Sequence, residues 1–190
     1  MQYLEDRIRK EGKVFPGEIL KVDGFLNHQM DIEALRTMAA EFKRLYSGEN
    51  VTKILTIEAS GIGLACMTGE AFGVPVLFAK KTKTHNISGD VYRTKVRSYT
   101  TGNDYEVIAS KEYLLPSDSI LIIDDFLANG SALTAMIDLV RQAGAVLVGA
   151  GIAVEKAFQP GGDRIRAQGI RVESLARIKS MSPEKGVEFC

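Results

Sequence analysis

The chain has 190 residues, 45% of them apolar, with 24 Lys plus Arg balanced by 24 Asp plus Glu. That length and composition suit one globular domain with a sizeable core and exclude a disordered chain. A formal net charge of zero removes any general electrostatic case for nucleic-acid or membrane-surface binding, and no apolar run is long enough to span a bilayer as a helix.

The segment from Met1 to Lys13 is heavily charged and lacks the apolar stretch of a signal peptide. Residues 2–11 predict a short amphipathic helix with Leu4 and Ile8 inward, ended at Gly12. Residues 14–28 mix short apolar pieces with turn residues and predict an irregular or weakly extended segment. Asp31 is a candidate cap for a second helix, with Leu35, Met38, Phe42 and Leu45 on one face.

A repeating pattern of strand and helix then begins. Ile54–Ile57 reads as a strand, Gly61–Gly73 as a helix and Val74–Phe78 as a second strand. Residues 82–104 are polar with few apolar anchors, an excursion from the core of the kind a loose hairpin makes. Tyr105–Ala109 and Ile120–Asp125 are strands, Ser131–Ala143 a helix ended by Gly144, and Val146–Val154 a strand. Gln159–Gly162 turns the chain into a short helix near 163–168, and Arg171–Ile178 is the last strand before a polar tail. Strands alternating with helices predict a single α/β domain, a mostly parallel sheet flanked by helices. Cys66 and Cys190 are the only cysteines; they make neither a disulfide framework nor a metal site. Cys66 lies in an apolar helical pattern and is expected to be buried. A reducing, cytoplasmic setting is the default.

The chain is organised around Ser119–Ala132. Its run from Ile120 to Ile123 is apolar without alternation, as in a strand buried on both faces of a parallel sheet. Asp124 and Asp125 follow, then a short turn over Phe126–Gly130, then a helix. Loop amides and a helix N-terminus suit an anion, and the carboxyl ends of parallel strands are where open α/β sheets bind ligands. An anion site beside two carboxylates suits a ligand with a phosphate and something for carboxylates to bind, either sugar hydroxyls or a metal-bound diphosphate. The bland alternative is an ordinary strand–turn–helix whose acids cap the strand end.

This composite resembles the motif that binds 5-phosphoribosyl-1-diphosphate (PRPP) in the type I phosphoribosyltransferases. The resemblance implies that Asp124 and Asp125 are catalytic and face the ribose hydroxyls. It implies that Ala128, Asn129, Gly130, Ser131 and Ala132 hold the 5′-phosphate. Asn129 and Ala132 stand where that family commonly has hydroxyl residues, so backbone amides, the Asn129 amide and the Ser131 hydroxyl take over that work.

A second loop, Glu58–Gly63, follows the first strong strand. Gly61-x-Gly63-x-x-Cys66 is part of a dinucleotide fingerprint, but that fingerprint ends in Gly or Ala and needs an acid about 20 residues on. Lys80 and Lys81 stand there instead, which suits a diphosphate and argues against a dehydrogenase. The resemblance implies that Ser60, Gly61 and Lys81 flank the diphosphate, with Lys80 as the alternative to Lys81. It implies a flexible lid over 82–104 that excludes water from the reacting sugar. It also implies Mg²⁺ carried mainly by PRPP, with no protein metal site.

Lys156 follows a buried strand, and its ammonium can only donate hydrogen bonds. It favours an oxo group on a base over an exocyclic amine. Phe158 offers a ring to stack against, Asn27 has both donors and an acceptor, and Leu20 supplies an apolar wall or a main-chain contact. His28 and His85 have no nameable partner and receive no role. Residues 20–29, 123–130, 155–161 and 171–178 resemble the xanthine-using members of the purine phosphoribosyltransferases, over nearly the whole chain. That implies Leu20, Asn27 and Lys156 as xanthine contacts, a small hood from about 14–30 and the C-terminal segment, a homodimer, and salvage of xanthine to XMP. Guanine and hypoxanthine carry the same oxo group and stay open as preferred bases. A regulator that keeps this fold while binding nucleic acid would need an added domain or a basic face, and the net charge argues against one.

Overall fold

The computed structural model describes residues 1–81, 89–97 and 104–190. Helix α1 (Gln2–Glu11) buries Leu4 and Ile8 as its period predicts. The segment expected to be irregular or weakly extended is built of short pieces. It contains a small antiparallel hairpin, β1 (Lys13–Phe15) with β2 (Ile19–Lys21), then a π-helical turn over Asp23–Asn27. Two strands of three residues carry too little alternation to register as a pattern. The turn between them is made by Pro16, Gly17 at φ 81° and Glu18 at φ 60°. Helix α2 (Ile32–Leu45) starts at Asp31, whose carboxylate accepts the N–H groups of Glu33 and Ala34.

The main sheet is then built from β3 (Lys53–Ile57), β4 (Val76–Lys81), β5 (Val91–Arg97), β6 (Asp104–Ser110), β7 (Ser119–Leu127), β8 (Val146–Lys156), β9 (Val172–Ser182) and β10 (Gly186–Phe189). The helices between its strands are α3 (Gly61–Phe72), α4 (Ser131–Ala143) and α5 (Gly161–Arg166). Strand order is β10-β9-β8-β7-β3-β4-β6-β5. The five central strands β9, β8, β7, β3 and β4 run parallel, while β10, β6 and β5 join antiparallel at the two edges. The expected polar tail therefore contains an edge strand, whose Val187 and Phe189 pack on the core. Of the excursion at 82–104, residues 91–97 form β5 and pair with β6; residues 82–88 and 98–103 lie outside the described residues.

One face of the sheet packs on α4 through Leu55, Ile120, Ile122, Leu133 and Ile137. The other packs on α1, α2 and α3 through Ile54, Leu121, Ile123, Leu35 and Leu64. Successive β7 residues thus feed opposite cores, which is why the run has no polar position. Cys66 is exposed, against expectation. Helix α3 buries Leu64, Ala65, Thr68 and Gly69, and Cys66 falls on the opposite side; an almost wholly apolar helix does not declare its inner face. Among the described residues no helix is long and apolar enough to cross a membrane.

Candidate active site

Strands β3 and β7 are neighbours, and from them the chain moves outward in opposite directions, to β4 on one side and to β8 and β9 on the other. The carboxyl edge beside such a reversal is where an open parallel sheet has a crevice. The loops after β3, β7 and β8 and the last residues of β4 meet there.

Asp124 and Asp125 lie within β7, which runs on past the expected end at Asp125 to Leu127. Both are almost fully buried. Adjacent strand residues normally face opposite sides, but the alternation breaks at this pair. Leu121, Ile123 and Phe126 pack in one core, while Ile120, Ile122 and Leu127 pack in the other. Asp124 Oδ1 lies beside the α-carbon of Gly61 and accepts the Asp125 N–H at 3.1 Å. Asp125 Oδ2 accepts from Asn27 Nδ2 at 3.0 Å. Burial pushes the Asp124 carboxyl well above the ordinary aspartate value, helped by the charge and hydrogen bond of Asp125; the Asp125 N–H and Lys81 oppose this.

The loop after β7 is built by its own side chain and by α5. Asn129 Oδ1 accepts the Ser131 N–H at 2.9 Å. Gly130 sits at φ 81°, and a β-carbon there would lie 3.1 Å from Gly161 Cα, so chirality and space both select glycine. The Gly161 N–H donates to the Ala128 carbonyl at 3.2 Å, and Arg164 Nη2 donates to the Asn129 carbonyl at 2.6 Å. Helix α4 begins at Ser131, so the N–H groups of Ala132 and Leu133 have no acceptor inside the helix.

On the other flank, Ser60 precedes α3 without a capping side-chain bond. A β-carbon on Gly61 would lie 2.5 Å from Thr56 Oγ1 and 2.9 Å from Asp124 Oδ1. The Thr56 hydroxyl is buried and has no hydrogen-bond partner among the described residues. Glu58 Oε1 accepts the Lys81 N–H at 2.6 Å. Lys81 lies 5.8 Å from the Tyr105 ring and its charge acts on Asp124. Lys80 points to the other side of the strand, 5.9 Å from the Phe78 ring.

Lys156 ends β8, half-buried, and its Nζ donates to the Glu18 carbonyl at 2.7 Å. Burial lowers its affinity for a proton, with Glu18 acting against this. Phe158 is exposed two residues on. Leu20 is buried in the core cluster that holds Leu4 and Ile8 of α1. Asn27 Oδ1 is buried without a hydrogen-bond partner among the described residues.

The fold therefore gathers the expected residues of β4, β7, the two loops and β8 along one edge, and brings Asn27 from the N-terminal turn into bonding contact with Asp125. His28 is exposed at the end of that turn, and His85 lies outside the described residues. Thr56, Glu58, Tyr105, Arg164 and Glu18 also touch this edge. None of them stands out in the sequence, because each is an ordinary residue in its own segment and becomes notable only through a distant partner.

Residues 21–172 match the family described as phosphoribosyl transferase domain. A xanthine phosphoribosyltransferase of Lachnoclostridium phytofermentans is 58% identical over 186 residues, covering 98% of this chain and 96% of that protein. One of Bifidobacterium longum is 54% identical over 187 residues, covering 98% and 97%. Among solved structures, an adenine phosphoribosyltransferase of Rhodothermus marinus superposes with a TM-score of 0.76 at 20% identity, covering 94% of this chain and 100% of that one. An APRTase of Giardia lamblia complexed with 9-deazaadenine gives 0.80 at 22% identity, covering 93% and 98%. At such identities these structures speak for the fold.

Proposed function

We infer the reaction from one premise: the chain belongs to the phosphoribosyltransferase family. It is a xanthine phosphoribosyltransferase, which transfers the 5-phosphoribosyl group of PRPP to xanthine and releases XMP and diphosphate in purine salvage. The anomeric carbon exchanges its bond to a diphosphate oxygen for a bond to a purine ring nitrogen, and the base loses a proton. The observation that carries this reading is the 3.0 Å hydrogen bond from Asn27 to Asp125. It joins a residue suited to a base edge with a residue suited to a sugar, as a transfer between the two requires.

In this reading Asp124 and Asp125 position the ribose and offset cation-like character at its anomeric carbon. The amides of Ala128–Ala132 and the Ser131 hydroxyl hold the 5′-phosphate. Ser60, Gly61 and Lys81 meet the diphosphate; Lys81 is chosen over Lys80 because it shares a side with Asp124. Xanthine is held by Lys156 on an oxo group, by the Asn27 amide, by the Leu20 main chain and by the Phe158 ring. With the Asn27 nitrogen engaged by a carboxylate, its carbonyl oxygen is the atom left to accept an N–H of the base.

Among the described residues no three carboxylate, imidazole or thiol groups are placed to hold a metal ion. Mg²⁺ would be carried mainly by PRPP, on phosphate oxygens and water. When bound with PRPP, that ion supplies charge neutralisation at the diphosphate. The lid is assigned to 82–104. The protein acts on small molecules in the cytoplasm as a homodimer.

The test is steady-state nucleotide formation from PRPP with xanthine, guanine, hypoxanthine and adenine in turn. Xanthine is expected to give the highest kcat/KM. A preference for adenine would overturn the reading of Lys156, and absence of XMP formation would overturn the reaction.

A further inference from the structure

We propose that Glu18 is a positioning residue for base recognition, whose hairpin tip clasps the segment after β8 and sets the direction of the Lys156 ammonium. The inference rests on the reading of Lys156 as the group that meets the base.

Two atoms of Glu18 reach across 138 and 141 sequence positions to that segment. Its main-chain carbonyl accepts from Lys156 Nζ at 2.7 Å, and its carboxylate accepts from Gln159 Nε2 at 2.7 Å. Its backbone is at φ 60°, and no other described non-glycine residue has a positive φ. That conformation is unfavourable for a residue with a β-carbon and persists where surrounding interactions over-determine it. The two hydrogen bonds are such interactions, and Gly17 at φ 81° lets the turn reach them.

Lysine ends a four-carbon stem with three donors on a rotating ammonium. Left alone it samples many directions, and ordering it when a base arrives costs conformational entropy. Here one donor is engaged by the Glu18 carbonyl, and the Phe126 ring stands 5.9 Å away on another side. The remaining N–H groups are pre-aimed. The clasp from Glu18 to Gln159 keeps the tip and the segment together, so the carbonyl stays where the ammonium needs it. Glu18, Gly17 and Pro16 are exposed, so substitution at the tip removes no core packing.

The experiment compares Glu18→Ala, Glu18→Pro, Glu18→Gln and Lys156→Ala by steady-state kinetics in both substrates. Proline holds φ near about −65° and turns the carbonyl away, whereas glutamine keeps an acceptor for Gln159. Glu18→Ala is expected to raise KM for xanthine about threefold and Glu18→Pro about tenfold, as losing one or two hydrogen bonds would. KM for PRPP and kcat should stay within about twofold, and Glu18→Gln should restore the xanthine KM. If Lys156→Ala raises the xanthine KM while both Glu18→Ala and Glu18→Pro leave it unchanged, the clasp is overturned and the base reading stands. If Lys156→Ala leaves it unchanged, the base reading falls and the clasp with it. Equal rises in both KM values, or a collapse of kcat, in Glu18→Pro would mean general structural damage and overturn the positioning role.

Discussion

At the residue scale, Asp124 shows what the fold does to a side chain. Burial, then the Asp125 charge and their shared hydrogen bond, keep this carboxyl protonated into a range where an exposed aspartate is ionised. Its folded pKa lies above its unfolded value of 3.8. The folded state then holds more protons than the unfolded one, so the contribution to stability falls as pH rises from about 3.8 through the folded pKa. Asp124→Asn removes that loss. The variant is expected to match the wild type near pH 3 and to be the more stable protein at neutral and alkaline pH, measured by denaturant unfolding across pH. Its kcat/KM should fall by about 10²-fold or more, because the ribose loses a positioned carboxylate. Asp125→Ala should lose a similar factor and also raise the xanthine KM, since Asn27 loses the acceptor that orients its amide. His28→Ala should stay near wild type. Equal losses for the three substitutions would refute the roles given to the acid pair.

At the element scale, the start of α3 and the turn into α5 act as spacers that align neighbouring loops. Gly61 lets the helix approach β7 until Thr56 and Asp124 touch its α-carbon. Gly61→Ala places a methyl group 2.5 Å from Thr56 Oγ1, and neither that atom nor the Asp124 carboxyl has room to retreat within a buried strand. A stability loss of about 1–3 kcal/mol is expected from overpacking, with a rise in the PRPP KM, read by unfolding and by initial rates. The loop after β7 depends likewise on α5, through Gly161 on Ala128 and Arg164 on Asn129. Glycine spacing in the sequence marked the loop at Gly130 but not this support, because the partner lies on an element with no regular signal of its own.

At the scale of the whole molecule, β8, β9 and α5 are tied by Glu155. Its buried carboxylate accepts from Nη1 and Nη2 of Arg166 at 2.7 Å each and from Arg177 Nε at 3.2 Å. Burial alone would raise its pKa, but Arg166, the Ser174 hydroxyl and Arg177 outweigh it and hold the carboxyl below its ordinary 4.5. The stabilisation is present above that value and is lost as pH falls through the lower folded pKa. Leaving a buried charge unpaired costs about 3–5 kcal/mol; Arg177 stays on Glu155, so Arg166→Met should destabilise by less than that at neutral pH and by less again at pH 3, followed by thermal unfolding.

The central strand, the flanking helices and the parallel order were legible because buried parallel strands read as unbroken apolar runs and helices repeat at their own period. Ile120–Ile123 and the face of Leu35, Met38 and Phe42 needed no knowledge of what they pack against. The acid pair, Gly130 and Lys156 were visible for a related reason: residue types suited to a phosphate, a sugar or an oxo group followed directly on such runs. The hairpin at residues 13–21, the edge strand at Gly186–Phe189 and the exposed side of Cys66 were not, since three or four residues carry no period and an all-apolar helix hides its orientation. Tertiary structure decided which atoms meet. It set Asp124 beside Gly61, separated Lys81 from Lys80, withdrew the Leu20 side chain into the core, and brought Glu18 onto Lys156 and Asn27 onto Asp125. Each of those is a contact between residues far apart along the chain, and local sequence records only propensity and period, not the distant partner that uses them.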